Sequence, residues 1–103
     1  MQLTIDNERF DQHQRLFIRE IIEQIRFRLI EAGLNGALVK ELTGHIAFSV
    51  ASTIDDTAQI EFDGIEVHPY MTFEGDDDQL LHGGENSYMH EYVAELVDEV
   101  FRK

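Results

Sequence analysis

Cysteine and tryptophan are absent from the 103-residue chain, and proline occurs once. Without cysteine the chain has no disulfide framework, no thiolate nucleophile and no thiolate metal site. No apolar run approaches the roughly 18 residues that cross a membrane. The first residues lack the basic start and apolar core of a signal peptide. We therefore expect a cytoplasmic protein without a membrane contact, and the length fits a single domain over residues 1–103.

Basic residues are also scarce. The chain has 8 Lys and Arg against 21 Asp and Glu, which gives a net charge of −13. Basic and acidic residues balance over the first forty positions, whereas no Lys or Arg occurs between Glu41 and Phe101. The excess negative charge therefore belongs to the C-terminal two-thirds. Because nucleic acids and anionic membranes carry the same sign, we expect no direct binding to either.

A long N-terminal helix is the clearest element that the sequence predicts. The segment from Asp6 or Asn7 to Ala32 has no glycine or proline, and its apolar residues recur at helical spacing. Asp6 or Asn7 is suited to the N-cap, and Gly33 followed by Leu34 is typical of a helix end. The sequence thus predicts a helix within residues 1–33 that packs against a sheet. Its predicted buried face consists of Phe10, Phe17, Ile18, Ile21, Ile22, Ile25 and Leu29.

Residues 45–73 alternate between apolar and polar side chains, which predicts a three-stranded antiparallel meander. The first strand contains Ile46, Phe48 and Val50. Asp63-Gly64 is a strong hairpin signal, and a two-residue turn there pairs Phe62 with Ile65 and Ile60 with Val67. A bulge at Gly64 within one long strand is the alternative.

The remaining segments complete a two-layer α+β prediction in the order α-β-β-β-α. Residues 74–86 are polar, acidic and without periodicity, so they are predicted to form a loop. Residues 87–102 have apolar side chains at helical spacing behind a cap at Asn86 or Ser87, so they are predicted to form a second helix.

No catalytic or cofactor motif is recognisable. Three histidines could hold a metal, but they lack the sequence spacing of metal-binding motifs. They are His68, His82 and His90. The consecutive residues Asp76, Asp77 and Asp78 lack the alternating spacing of a calcium loop. Ser87 is better explained as a helix cap than as a nucleophile. We expect no catalytic residues, no metal and no cofactor, and a small metal-binding protein or enzyme is the third-ranked hypothesis.

Acidic residues of the predicted C-terminal helix recur at i, i+4 and i+7 or i+8, so they form a column on its outer face. Together with nearby turn acids they make a candidate partner-binding face. Its members are Asp55, Asp56, Asp76, Asp77, Asp78, Glu91, Glu95, Asp98 and Glu99. We expect this face to bind a basic protein partner. One form of the hypothesis is a nucleic-acid mimic that inhibits a nucleic-acid-handling enzyme. A plain solvated helix face is the alternative interpretation.

A second candidate surface lies on the first helix. Leu16, Phe27 and Ile30 project roughly opposite its main apolar face. Such a patch indicates contact with a second copy, with residues 37–42 or with a partner, although scattered apolar surface residues are also normal. The alternative function is therefore a self-associating homodimeric domain whose acidity serves solubility alone.

Overall fold

The computed structural model describes residues 1–102 and confirms an α+β fold with a long N-terminal helix and a C-terminal helix, the latter shorter than the predicted 87–102. The helices are α1 (Asn7–Glu31), α2 (Ala37–Ile54) and α3 (Val93–Phe101), the last preceded by a 3₁₀ segment over Met89–Tyr92. The strands are β1 (Gln2–Ile5), β2 (Ile60–Phe62), β3 (Ile65–Val67), β4 (Phe73–Glu74) and β5 (Gln79–His82). One sheet has the order β1-β5-β4, with β1 parallel and β4 antiparallel to β5, and β2 and β3 form a separate hairpin. No helix among these residues combines the length and apolar character needed to cross a membrane.

Helix α1 begins and ends as the sequence predicts. The Asp6 carboxylate accepts a hydrogen bond from the backbone N–H of Arg9 at 3.1 Å, which caps the first turn. At the other end Gly33 has a φ of +99°, a value that residues with a side chain rarely adopt. In this conformation the backbone N–H of Leu34 donates to the Leu29 carbonyl at 3.1 Å, which gives a carbonyl near the helix end its hydrogen-bond partner.

The first predicted strand of the meander is wrong, because residues 45–54 belong to helix α2. The buried side of α2 is a stripe at i, i+4 spacing that consists of Val39, Thr43, Ala47 and Ala51. Small side chains allow neighbouring helices to approach closely, so burial here does not require large residues. The larger Ile46 and Phe48, whose alternation suggested a strand, remain substantially exposed.

The main core lies between three helices, so α1 packs against a sheet only in part, where the centre of the Phe10 ring lies 5.4 Å from that of the Phe73 ring of β4. Ile18 and Ile22 of α1 are fully buried against the small residues of α2. Full burial of a side chain of this size contributes about 1.5–3 kcal/mol. The rest of the buried cluster comes from the last helical segments and consists of Met89, Val93, Leu96, Val97 and Val100.

A polar network joins α1 to the start of α3. The Asp11 carboxylate accepts hydrogen bonds from Gln14 Nε2 at 3.0 Å, from the Tyr88 hydroxyl at 3.2 Å and from the Tyr92 hydroxyl. Burial alone raises the pKa of Asp11, but the hydrogen bonds from Tyr92, Gln14 and Tyr88 together lower it below its ordinary value. Burial and the bond to Asp11 raise the pKa of Tyr92 to about 12.

The segment predicted as an acidic loop belongs mostly to a β4–β5 hairpin instead, and β5 is the central strand of the three-stranded sheet. Asp77 and Asp78 have φ values of 53° and 62°, and the N–H of Gln79 donates to the Asp76 carbonyl at 3.2 Å. Aspartate tolerates this left-handed backbone better than most residues. The aspartate run therefore closes the β4–β5 turn. The loop prediction failed because β5 is too short to show a period.

The hairpin at Asp63-Gly64 is confirmed, with Phe62 opposite Ile65 and Ile60 opposite Val67. The two turn residues have φ values of 52° and 80°, as a two-residue turn of this kind requires. A bulge within one long strand is therefore excluded. Neither strand packs extensively against another helix or strand. We call residues 60–67 the β-arm.

Candidate partner-binding surface

The outer face of α3 carries the predicted acidic column, but most of its carboxylates are paired with cations. The pairs are Arg15 Nη2 to Glu95 Oε2 at 2.8 Å, Arg19 Nη1 to Glu99 Oε1 at 2.8 Å and Lys40 Nζ to Asp98 Oδ1 at 2.9 Å. The hydrogen bonds from these cations lower the pKa values of Asp98 and Glu99. No ion pair to Glu91 is found among residues 1–102. Exposed pairs add little stability, yet they neutralise three charges of the predicted face.

Asp55 is not part of an exposed acidic face, which corrects its assignment. It follows the last residue of α2, and its side chain is 0% exposed. One carboxylate oxygen accepts from Ser87 Oγ at 2.6 Å, and the other accepts from the backbone N–H of His90 at 2.8 Å and from its Nδ1 at 2.6 Å. Because a carboxylate can only accept, the geometry assigns the proton to Nδ1 of His90. Asp55 thus ties the end of α2 to the segment that leads into α3.

Asp56 lies near the base of the β-arm, where it contacts a histidine. Its carboxylate is 2.9 Å from His68 Nδ1, and Nε2 of the same ring is 3.4 Å from a carboxylate oxygen of Glu66. The hydrogen bond to Asp56 raises the pKa of His68, with the Glu66 carboxylate acting in the same direction. A protonated His68 would offset part of the negative charge of the arm.

The third histidine is also held within the fold. The backbone N–H of Gly84 donates to His82 Nδ1 at 3.1 Å, and Nε2 of that ring lies 2.7 Å from the Tyr70 hydroxyl. Residues 1–102 contain no cluster of three His, Asp or Glu side chains that could hold a metal ion. The three histidines named in the sequence analysis therefore have intramolecular partners in the part of the chain that the structure describes.

The Asp76–Asp78 triplet is exposed at the β4–β5 turn. Its nearest cations are Arg9 Nη2, which lies 3.6 Å from Asp76, and the Met1 amino group, which lies 3.6 Å from Asp78. Both carboxylates are mostly in water, so these contacts screen their charge weakly. The triplet consequently lies on the surface, as the sequence analysis requires of a partner-binding residue.

Leu16, Phe27 and Ile30 are all at least half exposed on α1. Phe27 and Ile30 share a shallow cavity, whereas Leu16 lies about 16 Å away along the helix axis at 1.5 Å per residue. Glu20 and Glu23 occupy the intervening turns of the same face. The proposed self-association patch is therefore two small apolar spots separated by charge.

The β-arm presents Phe62, the most exposed large apolar side chain of residues 1–102, and a second one beside it. Phe62 and Ile65 are 77% and 66% exposed and share one face of the hairpin. The other face carries Glu61 directly opposite Glu66, and Asp63 lies at the turn. The alternating pattern predicts this hairpin, but such a pattern does not reveal whether the apolar face is covered or exposed.

A groove of about 550 Å³ between α2 and α3 is the second apolar surface that nothing covers within residues 1–102. The small residues Ala37, Gly44 and Ala94 line it, and Phe48 meets the His90 ring edge-on with centroids 6.0 Å apart. No family model, curated protein or solved structure matches the chain. Function must therefore be argued from these surfaces alone.

Proposed function

We propose that the chain is a non-catalytic binding protein that docks its β-arm on a basic protein partner. The exposed apolar face of the arm is the observation that carries this proposal. Phe62 and Ile65 lie mostly in water although each would gain about 1.5–3 kcal/mol from full burial. Exposed aromatic and aliphatic residues of this kind are typical anchors of protein interfaces.

The negative charges of the β-arm favour a partner that carries positive charge. Glu61 and Glu66 face each other across the two strands, an arrangement of like charges that is unfavourable in the free hairpin. A partner with Lys or Arg around an apolar pocket would relieve this repulsion and accept the Phe62 side chain at the same time. The acidic triplet at the β4–β5 turn would add long-range attraction to such a partner.

The ion pairs of α3 favour the arm over the acidic column as the contact surface. Mimicry of a nucleic acid needs a regular row of uncompensated negative charges. Glu95, Asp98 and Glu99 each have a cation from the same chain within 3 Å. A basic partner that recognises the arm therefore ranks above a nucleic-acid-handling enzyme that recognises the column.

A capture experiment tests this proposal. Wild type, the double variant Phe62→Ser/Ile65→Ser and the control Leu16→Ser are each immobilised and incubated with lysate of the source cells at about 50 mM salt. Leu16 is a matched control because it is an equally exposed apolar residue on α1. We expect wild type and Leu16→Ser to capture the same basic protein. The arm variant should retain at least about 30-fold less, the ratio for loss of a 2 kcal/mol anchor.

The captured protein is then purified and its affinity measured. Affinity should fall about tenfold or more between about 50 and 200 mM salt, and the charge-neutral variant Glu61→Gln/Glu66→Gln should reduce that dependence. Thermal unfolding of the arm variants should match wild type, because the arm packs against no other element extensively. Equal capture by wild type and the folded arm variant would overturn the proposal.

A further inference from the structure

Helix α2 has a solvent-facing side that carries few charges and several exposed apolar side chains. From Leu42 to Ile54 the helix contains no Asp, Glu, Lys or Arg. Leu38 and Phe48 are half exposed and Ile46 is more than a third exposed, whereas the stripe that packs on α1 lies on the other side. These three residues span an arc of about 160° at 100° per residue. Exposed apolar side chains on a surface of low charge are typical of an interaction surface.

The same surface combines a projecting side chain with a recess. The recess is the α2–α3 groove, with Ala37, Gly44 and Ala94 among its lining residues, and the half-exposed Phe48 stands at its wall. A two-fold symmetric interface brings one patch against its own copy, so that patch must contain features complementary to each other. Phe48 of one copy and the recess of the other fulfil this condition.

Local charge identifies the occupant. Two chains of net charge −13 repel each other wherever their acidic surfaces meet. At the groove, Lys40 and Asp98 form an ion pair at 2.9 Å, and within residues 1–102 Glu41 is the one Asp, Glu, Lys or Arg of the lining without such a pair. A basic protein gains little attraction from such a surface, whereas a second copy meets little repulsion there. We propose that the α2 face, with the α2–α3 groove, is the interface of a symmetric homodimer.

The available area indicates the strength of this dimer. Helix α2 is about 27 Å long, α3 with its preceding 3₁₀ segment is about 21 Å long, and each is about 10 Å wide. The patch therefore covers about 480 Å² on each copy and about 960 Å² in total, which is the size of a weak, transient interface. We expect a dissociation constant in the micromolar range, so monomer and dimer coexist over accessible concentrations.

Sedimentation velocity from about 1 µM to about 1 mM tests the proposal across this range. Wild type should shift from monomer to dimer, and Phe48→Glu should weaken dimerisation at least about 30-fold. Ala94→Gln fills the recess without adding charge at an exposed helical position, so it should weaken the dimer while keeping the fold. Leu16→Glu on α1 is the matched control and should dimerise like wild type.

Three results would overturn the α2 interface. They are a wild-type monomer at about 1 mM, a dimer that Phe48→Glu leaves intact, and a dimer that Phe27→Glu dissociates although Phe48→Glu does not. The last result would move self-association to α1. The arm variant Phe62→Ser/Ile65→Ser should still dimerise, so this proposal and the β-arm proposal fail independently.

Discussion

Replacement of Asp55 by alanine should destabilise the whole fold, because its carboxylate joins the end of α2 to the segment before α3. In wild type that carboxylate accepts from Ser87 Oγ at 2.6 Å and from two nitrogens of His90 at 2.6 and 2.8 Å. In Asp55→Ala these donors lose their acceptor inside the protein. Removal of an exposed acid from a chain of charge −13 would instead be neutral or slightly stabilising.

The expected loss follows from the burial of this group. A hydrogen bond to a charged partner contributes about 1.5–3 kcal/mol, but bonds that share one carboxylate are not additive. Removal of one member of a buried pair typically costs about 3–5 kcal/mol. We expect a loss in this range, against a total of about 5–15 kcal/mol for a small domain. At about 4 °C per kcal/mol, the Tm should fall by about 12 °C or more.

Urea unfolding followed by circular dichroism measures this loss, with a matched pair of isosteric variants as control. Asp55→Asn removes the buried charge, whereas Asp56→Asn removes the neighbouring charge that contacts His68 at the surface. Asparagine also tolerates the positive φ of Asp56, so the control adds no backbone strain. The reasoning is refuted if Asp55→Ala lies within about 1 kcal/mol of wild type, or if the two asparagine variants are equally destabilised.

Three further predictions concern local features. Gly64→Ala should melt the β-arm at a cost of about 1–2 kcal/mol, because φ is +80° there; hydrogen exchange should show lost protection in the arm while the Tm is unchanged. Asp77→Val should destabilise the protein in urea unfolding, because a β-branched side chain does not tolerate the positive φ of this turn, and Asp77→Asn should not. Equal effects of the two variants would contradict this role of the positive φ. Since the folded-state pKa of Tyr92 is raised to about 12, its contribution should be complete below about pH 10 and lost toward pH 12. Denaturant titrations across that window should show a shallower decline in Tyr92→Phe, and an identical decline would contradict the assignment.

The parts of the fold that the sequence predicts correctly depend on signals a few residues long. Asp6 sets the start of α1 and Gly33 sets its end through their own backbone and side-chain chemistry. Asp63-Gly64 sets the hairpin register without distant contacts. Helix α2 was missed because its buried stripe consists of small residues such as Ala47 and Ala51. A search for large apolar residues at helical spacing does not detect such a stripe.

The surface was harder to predict because its charges are paired across long sequence separations. Arg15 meets Glu95 and Arg19 meets Glu99, each pair eighty positions apart in the sequence. No local pattern reports such contacts, and none indicates that Asp55 turns inward while Asp56 stays at the surface. Composition shows which part of the chain carries the negative charge, but it does not show which cations neutralise that charge in the folded protein.

Cations of α1 and α2 pair with acids of α3, so the two apolar surfaces, which are the α2 face and the β-arm, differ in local charge. Near α3 three of the four acids in the column are matched by Arg15, Arg19 and Lys40, so the adjacent α2 face carries little net charge. The β-arm keeps three carboxylates, and the segment from residue 41 to residue 101 supplies it with no Lys or Arg. A neutral apolar face favours a second copy, whereas an acidic apolar face favours a basic partner. Because the arm packs extensively against neither α2 nor α3, occupation of one surface need not alter the other. We therefore expect partner affinity of the β-arm to be the same in wild type and in the monomeric Phe48→Glu variant when a single arm is measured.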